Sequence, residues 1–134
     1  MDIKHVILAG DSAGGNLVIS VTLLAILRGF RKPDALVPIY PVLSMVNDHF
    51  YPSSLITLDC DLLHTAFVQA MRGCYLRNGG EQSIICSPIN APDCLLKKLP
   101  PVVMFVCEID SLRDQEFHFA DRLLNAVDDE PNRL

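Results

Sequence analysis

Residues 6–17, Val-Ile-Leu-Ala-Gly-Asp-Ser-Ala-Gly-Gly-Asn-Leu, decide the fold of this chain. The continuous apolar run from Val6 to Ala9 predicts a short strand covered on both faces, as in a parallel sheet. From Gly14 to about Arg28 the pattern predicts a helix that stops at Gly29. Because this helix is apolar nearly all round, we expect it to be buried. The chain must therefore reverse sharply between the strand and the helix.

The turn between them carries the pattern Gly-x-Ser-x-Gly, with Ser12 at its centre. Between a strand and a helix, such a turn holds its serine in a strained backbone conformation and lifts the hydroxyl above the sheet edge. Side chains two residues on either side would collide, so we expect glycine to be needed at Gly10 and Gly14. The N–H of Ala13, beside the positive helix end, is placed to bind an oxyanion. Ser12 is thus a candidate nucleophile, and a purely structural turn is the alternative.

Two further stretches predict strands. Residues 35–40 are apolar, although Pro38 is unusual in a central strand. Residues 102–107 give the clearest third strand. Together with the helices between them, they predict a β-α-β-α-β-α order and a parallel α/β sheet with flanking helices. We expect residues 1–134 to form a single, partial domain.

The other segments divide into helices and loops. Residues 44–60 and 83–100 predict loop or irregular structure. Residues 61–76 predict a helix with Asp61 near its N-terminus. The last helix, residues 113–127, has an apolar stripe at helical spacing, formed by Phe117, Ala120, Leu123, Leu124 and Val127.

Composition narrows the class of protein. Of the 134 residues, 50% are hydrophobic and 20% are charged, which is typical of a globular domain. The net charge of −5 and the scattered basic residues argue against a nucleic-acid surface. The apolar run Leu17–Leu27 is shorter than the ~20 residues that a transmembrane helix needs. Nothing near Met1 resembles a secretory signal.

The five cysteines form no Cys-x-x-Cys pair, and their number is odd. We expect reduced thiols in a cytoplasmic protein. Structural zinc held by Cys60 or Cys74 with His64 lacks the spacing of a metal site, so no metal is expected.

The octapeptide from Gly10 to Leu17 resembles the nucleophile block of the hormone-sensitive-lipase family of esterases, and Asp11 and Gly15 fit that block too. Residues 34–41, 87–92 and 99–101 are similar to other parts of the same family. The resemblance covers about residues 4–127 and implies the C-terminal part of an α/β-hydrolase fold, incomplete. It also implies a serine carboxylesterase or lipase that forms an acyl-enzyme on acyl-ester or lipid substrates, without a cofactor.

The same resemblance implies an acid residue at Asp110, in Asp-Ser-Leu-Arg-Asp, where Ser111 departs from the family's usual proline. A carboxylate at the carboxyl end of a parallel strand faces the active-site edge, which agrees with this role. Asp110 as a helix N-cap is the alternative. Asp114 and Glu108 are expected to be ordinary helix and strand-end charges.

A catalytic histidine should follow the acid in this fold, but only His118 does, inside a predicted helix. The remaining histidines, expected to be structural or exposed, are His5, His49 and His64. We therefore expect the base to lie beyond Leu134, and no counterpart of the family's His-Gly-Gly-Gly oxyanion loop precedes Ser12. These gaps predict a fragment that is inactive alone. The alternative is a non-catalytic module that binds lipid or protein, and a full-length parent could contact a lipid droplet or membrane surface.

Overall fold

The computed structural model describes residues 4–46, 51–59, 64–76 and 79–128. Strand β1 (Ile7–Asp11) and strand β2 (Ala35–Ile39) pair in parallel, with Ile7 opposite Ala35 and Asp11 opposite Ile39. The first strand is confirmed, although it continues through Gly10 to Asp11. This register places the carboxyl ends of both strands at the same edge of the sheet.

Helix α1 (Ala13–Arg28) connects the two strands and ends as predicted at Gly29, which adopts the left-handed conformation with φ 67°. The expectation that the helix is buried all round is wrong for this chain. Ile19 and Leu23 are fully buried, whereas Leu17 and Leu27 are more than half exposed. One side of the helix packs against β1 and β2, and the other side remains open to solvent.

The predicted third strand is an extended segment that bridges to β2 at Val102 and Phe105 instead of a continuous strand. Pro38 explains the interruption, because it has no N–H to donate midway along this side of β2. Pro38 nevertheless lies inside the sheet, opposite Gly10 of β1. Four backbone hydrogen bonds of 2.7–3.1 Å remain: Leu36 N to Pro101 O, Val103 N to Leu36 O, Phe105 N to Pro38 O and Tyr40 N to Phe105 O.

Both predicted irregular regions contain short helices. Helix α2 (Ser53–Ile56) lies within residues 44–60. The stretch 83–100 contains a 3₁₀ turn (Pro88–Asn90) and helix α4 (Asp93–Leu96).

Helix α3 (Thr65–Tyr75) lies between them and begins after His64, whose Nδ1 accepts a hydrogen bond from Ala66 N at 3.1 Å. His64 is therefore the N-cap of this helix. Asp61, expected near the N-terminus of this helix, lies outside the described residues.

Helix α5 (Arg113–Asp128) is where the sequence pattern misleads. Phe117 and Leu124, members of the predicted stripe, are 59% and 67% exposed. Its buried face instead carries Phe119 and two polar residues, Gln115 and Glu116. Of the other stripe members, Ala120 and Leu123 are half-buried, and Leu123 packs against the core, so the apolar residues indicate only part of the inward face. The side chain of Val127 lies outside the described part.

Gln115 explains part of this burial. Its Oε1 accepts hydrogen bonds from the backbone N–H groups of Leu43 and Ser44 at 2.9 and 2.7 Å. Asn16 holds the same stretch from the other side, since its Nδ2 donates to Val42 O at 2.7 Å. These side chains fix the segment that follows β2 against α1 and α5.

Within the described residues, no helix combines the length and hydrophobicity that crossing a bilayer requires.

The buried core lies between α1, α4 and α5. It consists of Ile19, Leu23, Leu43, Ile89, Ala91, Leu96, Phe119 and Ala126. On the opposite face of the sheet, nothing in the described part of the chain covers Ile7, Val103 and Phe105, which are each more than half exposed. The site described below therefore lies at the edge of a sheet that is covered on one face.

Candidate active site

The backbone of Ser12 is strained as the sequence predicts. It follows β1 directly, precedes α1, and has φ 51° and ψ −116°, a positive φ that costs a non-glycine residue about 1–3 kcal/mol. Its N–H donates to Ile39 O at 2.9 Å, and its carbonyl accepts from Asn16 N at 3.1 Å and Val42 N at 3.3 Å. These bonds hold the bend to both β2 and α1.

The glycines around Ser12 differ in what they do. A Cβ at Gly10 would lie 2.6 Å from Gly14 O, and one at Gly15 would lie 2.8 Å from Pro41 Cβ, so neither position has room for a side chain. A Cβ at Gly14 would meet nothing closer than Asp11 Oδ1 at 3.9 Å. The expected collision at Gly14 is therefore wrong. The crowding is one-sided, and the backbone of Gly14 is what excludes a side chain at Gly10.

The Ser12 side chain is half-buried. Ser12 Oγ makes no hydrogen bond with any other described residue, and it is not fully buried. Ser12 and Ala13 line a cleft of about 270 Å³. The hydroxyl can therefore meet a ligand that enters this cleft.

Much of the cleft wall comes from one face of α3, which sequence reasoning did not connect to the site. The spacing i, i+3, i+4, i+7 on a helix could have indicated this face. The four residues that α3 contributes are Val68, Met71, Arg72 and Tyr75. Among the described residues that line the cleft, apolar side chains predominate and Arg72 is the one charged residue.

Asp110 follows the third extended segment, so it lies beyond the carboxyl end of a parallel strand, as Ser12 does. It is 7% exposed, and its Oδ1 accepts from Leu112 N at 2.8 Å. Burial raises the pKa of Asp110, an effect that the Leu112 hydrogen bond opposes. The bond to Leu112 stabilises the turn before α5, which is what the alternative role of Asp110 as a helix N-cap predicts. Within the described residues, Asp110 Oδ2 makes no hydrogen bond, and it is not fully buried.

The two other acidic candidates have different surroundings. Asp114 accepts hydrogen bonds from Ser53 N at 2.7 Å and from Arg113 Nε at 3.1 Å. Burial acts to raise the pKa of Asp114, but these bonds lower it below its ordinary value. Asp114 thus ties α2 to α5, whereas Glu108 is exposed.

None of the three described histidines lines the Ser12 cleft. His118 is exposed on α5, with Nδ1 3.4 Å from the hydroxyl of Tyr51, and His64 caps α3. His5 is exposed before β1. His49 lies outside the described residues.

Metal-ligating side chains do not gather in the described residues: no three of His, Cys, Asp and Glu come together there. Cys60, one of the ligands in the zinc alternative, lies outside those residues.

Glu116 is a buried acid that the sequence did not single out. It is fully buried on α5, and neither carboxyl oxygen has a hydrogen-bond partner. Burial and the nearby charge of Asp110 raise the pKa of Glu116 to about 8. At neutral pH this side chain is therefore held largely in the neutral form behind Asp110.

The one-sided crowding at the bend predicts opposite results for two substitutions. Gly10→Ala should lower the free energy of unfolding by about 1–3 kcal/mol or more, because the methyl group meets backbone that cannot move aside. Gly14→Ala should be neutral or raise it by up to about 1 kcal/mol, because alanine favours the helix. Urea denaturation of both variants measures this. Equal destabilisation by the two changes would contradict the geometry.

Glu116 predicts a pH dependence of stability. The folded state retains a proton that the unfolded chain releases above the ordinary pKa of 4.5, so stability is highest below that pH. It should fall by roughly 3–5 kcal/mol as pH rises to about 8.

Glu116→Gln should remove most of this decline, while Glu108→Gln, at an exposed carboxylate, should leave it unchanged. Denaturant titrations at several pH values test this. A decline that persists undiminished in Glu116→Gln would show that another group causes it.

Comparisons with known proteins identify the fold family. The model of the α/β-hydrolase fold family matches residues 1–130. The chain is 26% identical to an esterase of Gibberella moniliformis over 123 residues, which are 90% of this chain and 38% of that protein. It is 45% identical to hormone-sensitive lipase of Mus musculus over 60 residues, which are 45% of this chain and 8% of the lipase.

Solved structures give the same result. Carboxyl esterase 2 of Tuber melanosporum superposes with a TM-score of 0.83 at 29% identity, over 90% of this chain and 39% of that one. A thermostable esterase from Pseudomonas putida also gives 0.83, at 28% identity, over 90% of this chain and 37% of its own. The chain thus spans about two fifths of these esterases. The resemblance to hormone-sensitive-lipase-like esterases is confirmed, and the chain belongs to the α/β-hydrolase fold family.

Proposed function

We propose that the protein containing this chain hydrolyses carboxylic esters, and that Ser12 is its nucleophile. The observation that carries the proposal is the strained Ser12 backbone at the start of α1, with a half-buried serine that lines a largely apolar cleft. A strained residue of this kind persists only where the surrounding structure enforces it, and such residues cluster at active sites. The esterases to which the chain is similar support the same reaction class.

In the proposed reaction, Ser12 Oγ attacks the acyl carbonyl and loses its proton to a base. The C–O bond to the alcohol then breaks, the base returns the proton to the departing oxygen, and the neutral alcohol leaves while Ser12 stays acylated. Water attacks the acyl-serine, which releases the carboxylic acid and restores Ser12. Each step requires stabilisation of a negatively charged oxygen.

Ala13 supplies one part of that stabilisation. It is the first residue of α1, where an N–H has no acceptor within the helix. An oxyanion beside Ser12 would accept this hydrogen bond at the positive end of the helix dipole. Loss of one such donor typically costs about 10²–10³ in kcat.

Asp110 is proposed as the acid that orients the base. Its Oδ1 is engaged by Leu112 N, and Oδ2 stays available to accept an imidazole N–H. A carboxylate in this role keeps the histidine in the productive tautomer and stabilises its charged form. We propose that this histidine lies outside residues 1–134, so that the chain by itself does not turn over esters.

A non-catalytic binding module is the second candidate. It is favoured by the uncovered sheet face around Ile7, Val103 and Phe105, which an apolar partner or lipid could cover. In that case Ser12 would have no role in chemistry, and substitutions at the sheet face, not at Ser12, would alter function.

Labelling with a fluorophosphonate probe tests the proposal in the protein extended to its full reading frame. We expect labelling at Ser12 and hydrolysis of p-nitrophenyl butyrate. Ser12→Ala should abolish labelling and reduce kcat by a factor of about 10⁶. Ser54→Ala, at a half-buried serine of α2 away from the cleft, is the control and should leave both unchanged.

Residues 1–134 alone should show no measurable turnover of the ester. Labelling of another serine in the extended protein, with activity retained in Ser12→Ala, would overturn the assignment. An extended protein without labelling or hydrolysis would favour the binding module.

A further inference from the structure

We infer that Arg72 makes the Ser12 cleft selective for esters that carry a carboxylate in addition to the ester group. The inference rests on the proposed function, and it deepens that function by naming a substrate class. It comes from the position of one cation in a cleft whose other lining residues, in the described part of the chain, are uncharged.

Arg72 is poorly compensated where it lies. Its Nε is buried and has no hydrogen-bond partner. No carboxylate of the described residues forms an ion pair with its guanidinium. The ion pairs of these residues join other partners: Asp114 to Arg113, Asp93 to Arg122 and Asp34 to Arg31. Burial lowers the pKa of Arg72, and the opposing contribution of Tyr51 is smaller. An arginine nevertheless remains charged at neutral pH.

The location in α3 does not require a cation. Arg72 is in the last turn of α3, where a basic side chain interacts favourably with the helix dipole. That interaction is available to an exposed arginine and does not require burial against apolar residues. Its neighbours on the cleft face, Val68, Met71 and Tyr75, are the kind of residue that would fill such a position in a purely apolar acyl site.

A carboxylate on the substrate would supply the missing partner. The guanidinium fork matches a carboxylate in a bidentate geometry, and such charge-assisted pairs are roughly twice as strong as hydrogen bonds between neutral groups. A neutral alkyl ester leaves the cation unpaired, and desolvating an unpaired charge is unfavourable. The volume of about 270 Å³ suits a small ester, since pockets for drug-sized ligands span about 300–1,000 Å³.

The charge of the whole chain cannot produce this preference. The net charge of −5 repels anions at long range. Selective binding of an anionic ester would therefore require a local cation, and Arg72 is a cation that lines the cleft.

The test compares two small esters of similar shape. Monomethyl glutarate carries the carboxylate, and methyl 5-methylhexanoate carries an isopropyl group in its place. NMR titrations at pH 7 give dissociation constants for the chain and its variants. We expect the anionic ester to bind at least ~10-fold more tightly to the unaltered chain, a difference of about 1.4 kcal/mol.

Arg72→Gln should reduce this ratio to about one. Arg72→Lys keeps the charge without the fork and should retain part of the ratio. Arg28→Gln is the matched control, since Arg28 is an exposed arginine in the last turn of α1. It should leave the ratio unchanged. Backbone spectra of each variant report whether it is folded.

Several outcomes would overturn the inference. They are equal or tighter binding of the neutral ester to the unaltered chain, a preference that survives Arg72→Gln, and absence of binding of the anionic ester at millimolar concentrations. Ser12→Ala should leave the selectivity intact. A selective cleft without fluorophosphonate labelling would therefore reject the proposed function alone, and labelling without selectivity would reject only this inference.

Discussion

The hydrogen bond from Ser12 N to Ile39 O is the interaction on which the site depends. It joins the end of β1 to the end of β2 at 2.9 Å and holds Ser12 at a positive φ. The Ser12 carbonyl continues the arrangement, because it accepts from both α1 and the segment after β2. The bend is therefore determined by three parts of the chain at once, and none of them alone could maintain a strained serine.

The segment after β2 has the same dual role. Val42 donates to the Ser12 carbonyl and also lines the cleft, while Gln115 and Asn16 fix the neighbouring backbone from α5 and α1. Movement of α5 would thus be transmitted to the nucleophile bend and to the cleft together. The same helix carries Glu116 beside Asp110, which links the protonation of a buried carboxyl to the surroundings of the proposed acid residue. Arg72 on α3 contributes a second incompletely paired group to this end of the molecule.

Local patterns in the sequence predict the strand, the bend and the first helix because each depends on residues that are adjacent in the chain. The parallel sheet also follows, since β-α-β order constrains the topology. The inward face of α5 could not be predicted, because the buried Gln115 accepts hydrogen bonds from two backbone N–H groups that are more than seventy residues away in sequence. The participation of Arg72 in the cleft depends on how α3 packs beside Ser12, and no short-range signal contains that information. Ser12 and Asp110 remain predictions as catalytic residues, with a geometry that suits those roles.

The φ angle of Ser12 in solution tests the central claim most directly. Residual dipolar couplings and backbone carbon shifts, measured by NMR on the isotopically labelled chain, determine this angle without reliance on activity. The account predicts a positive φ near 51°. A negative φ, as in an ordinary loop or a regular first helical turn, would remove the strained bend and with it the physical basis for a nucleophile at this position.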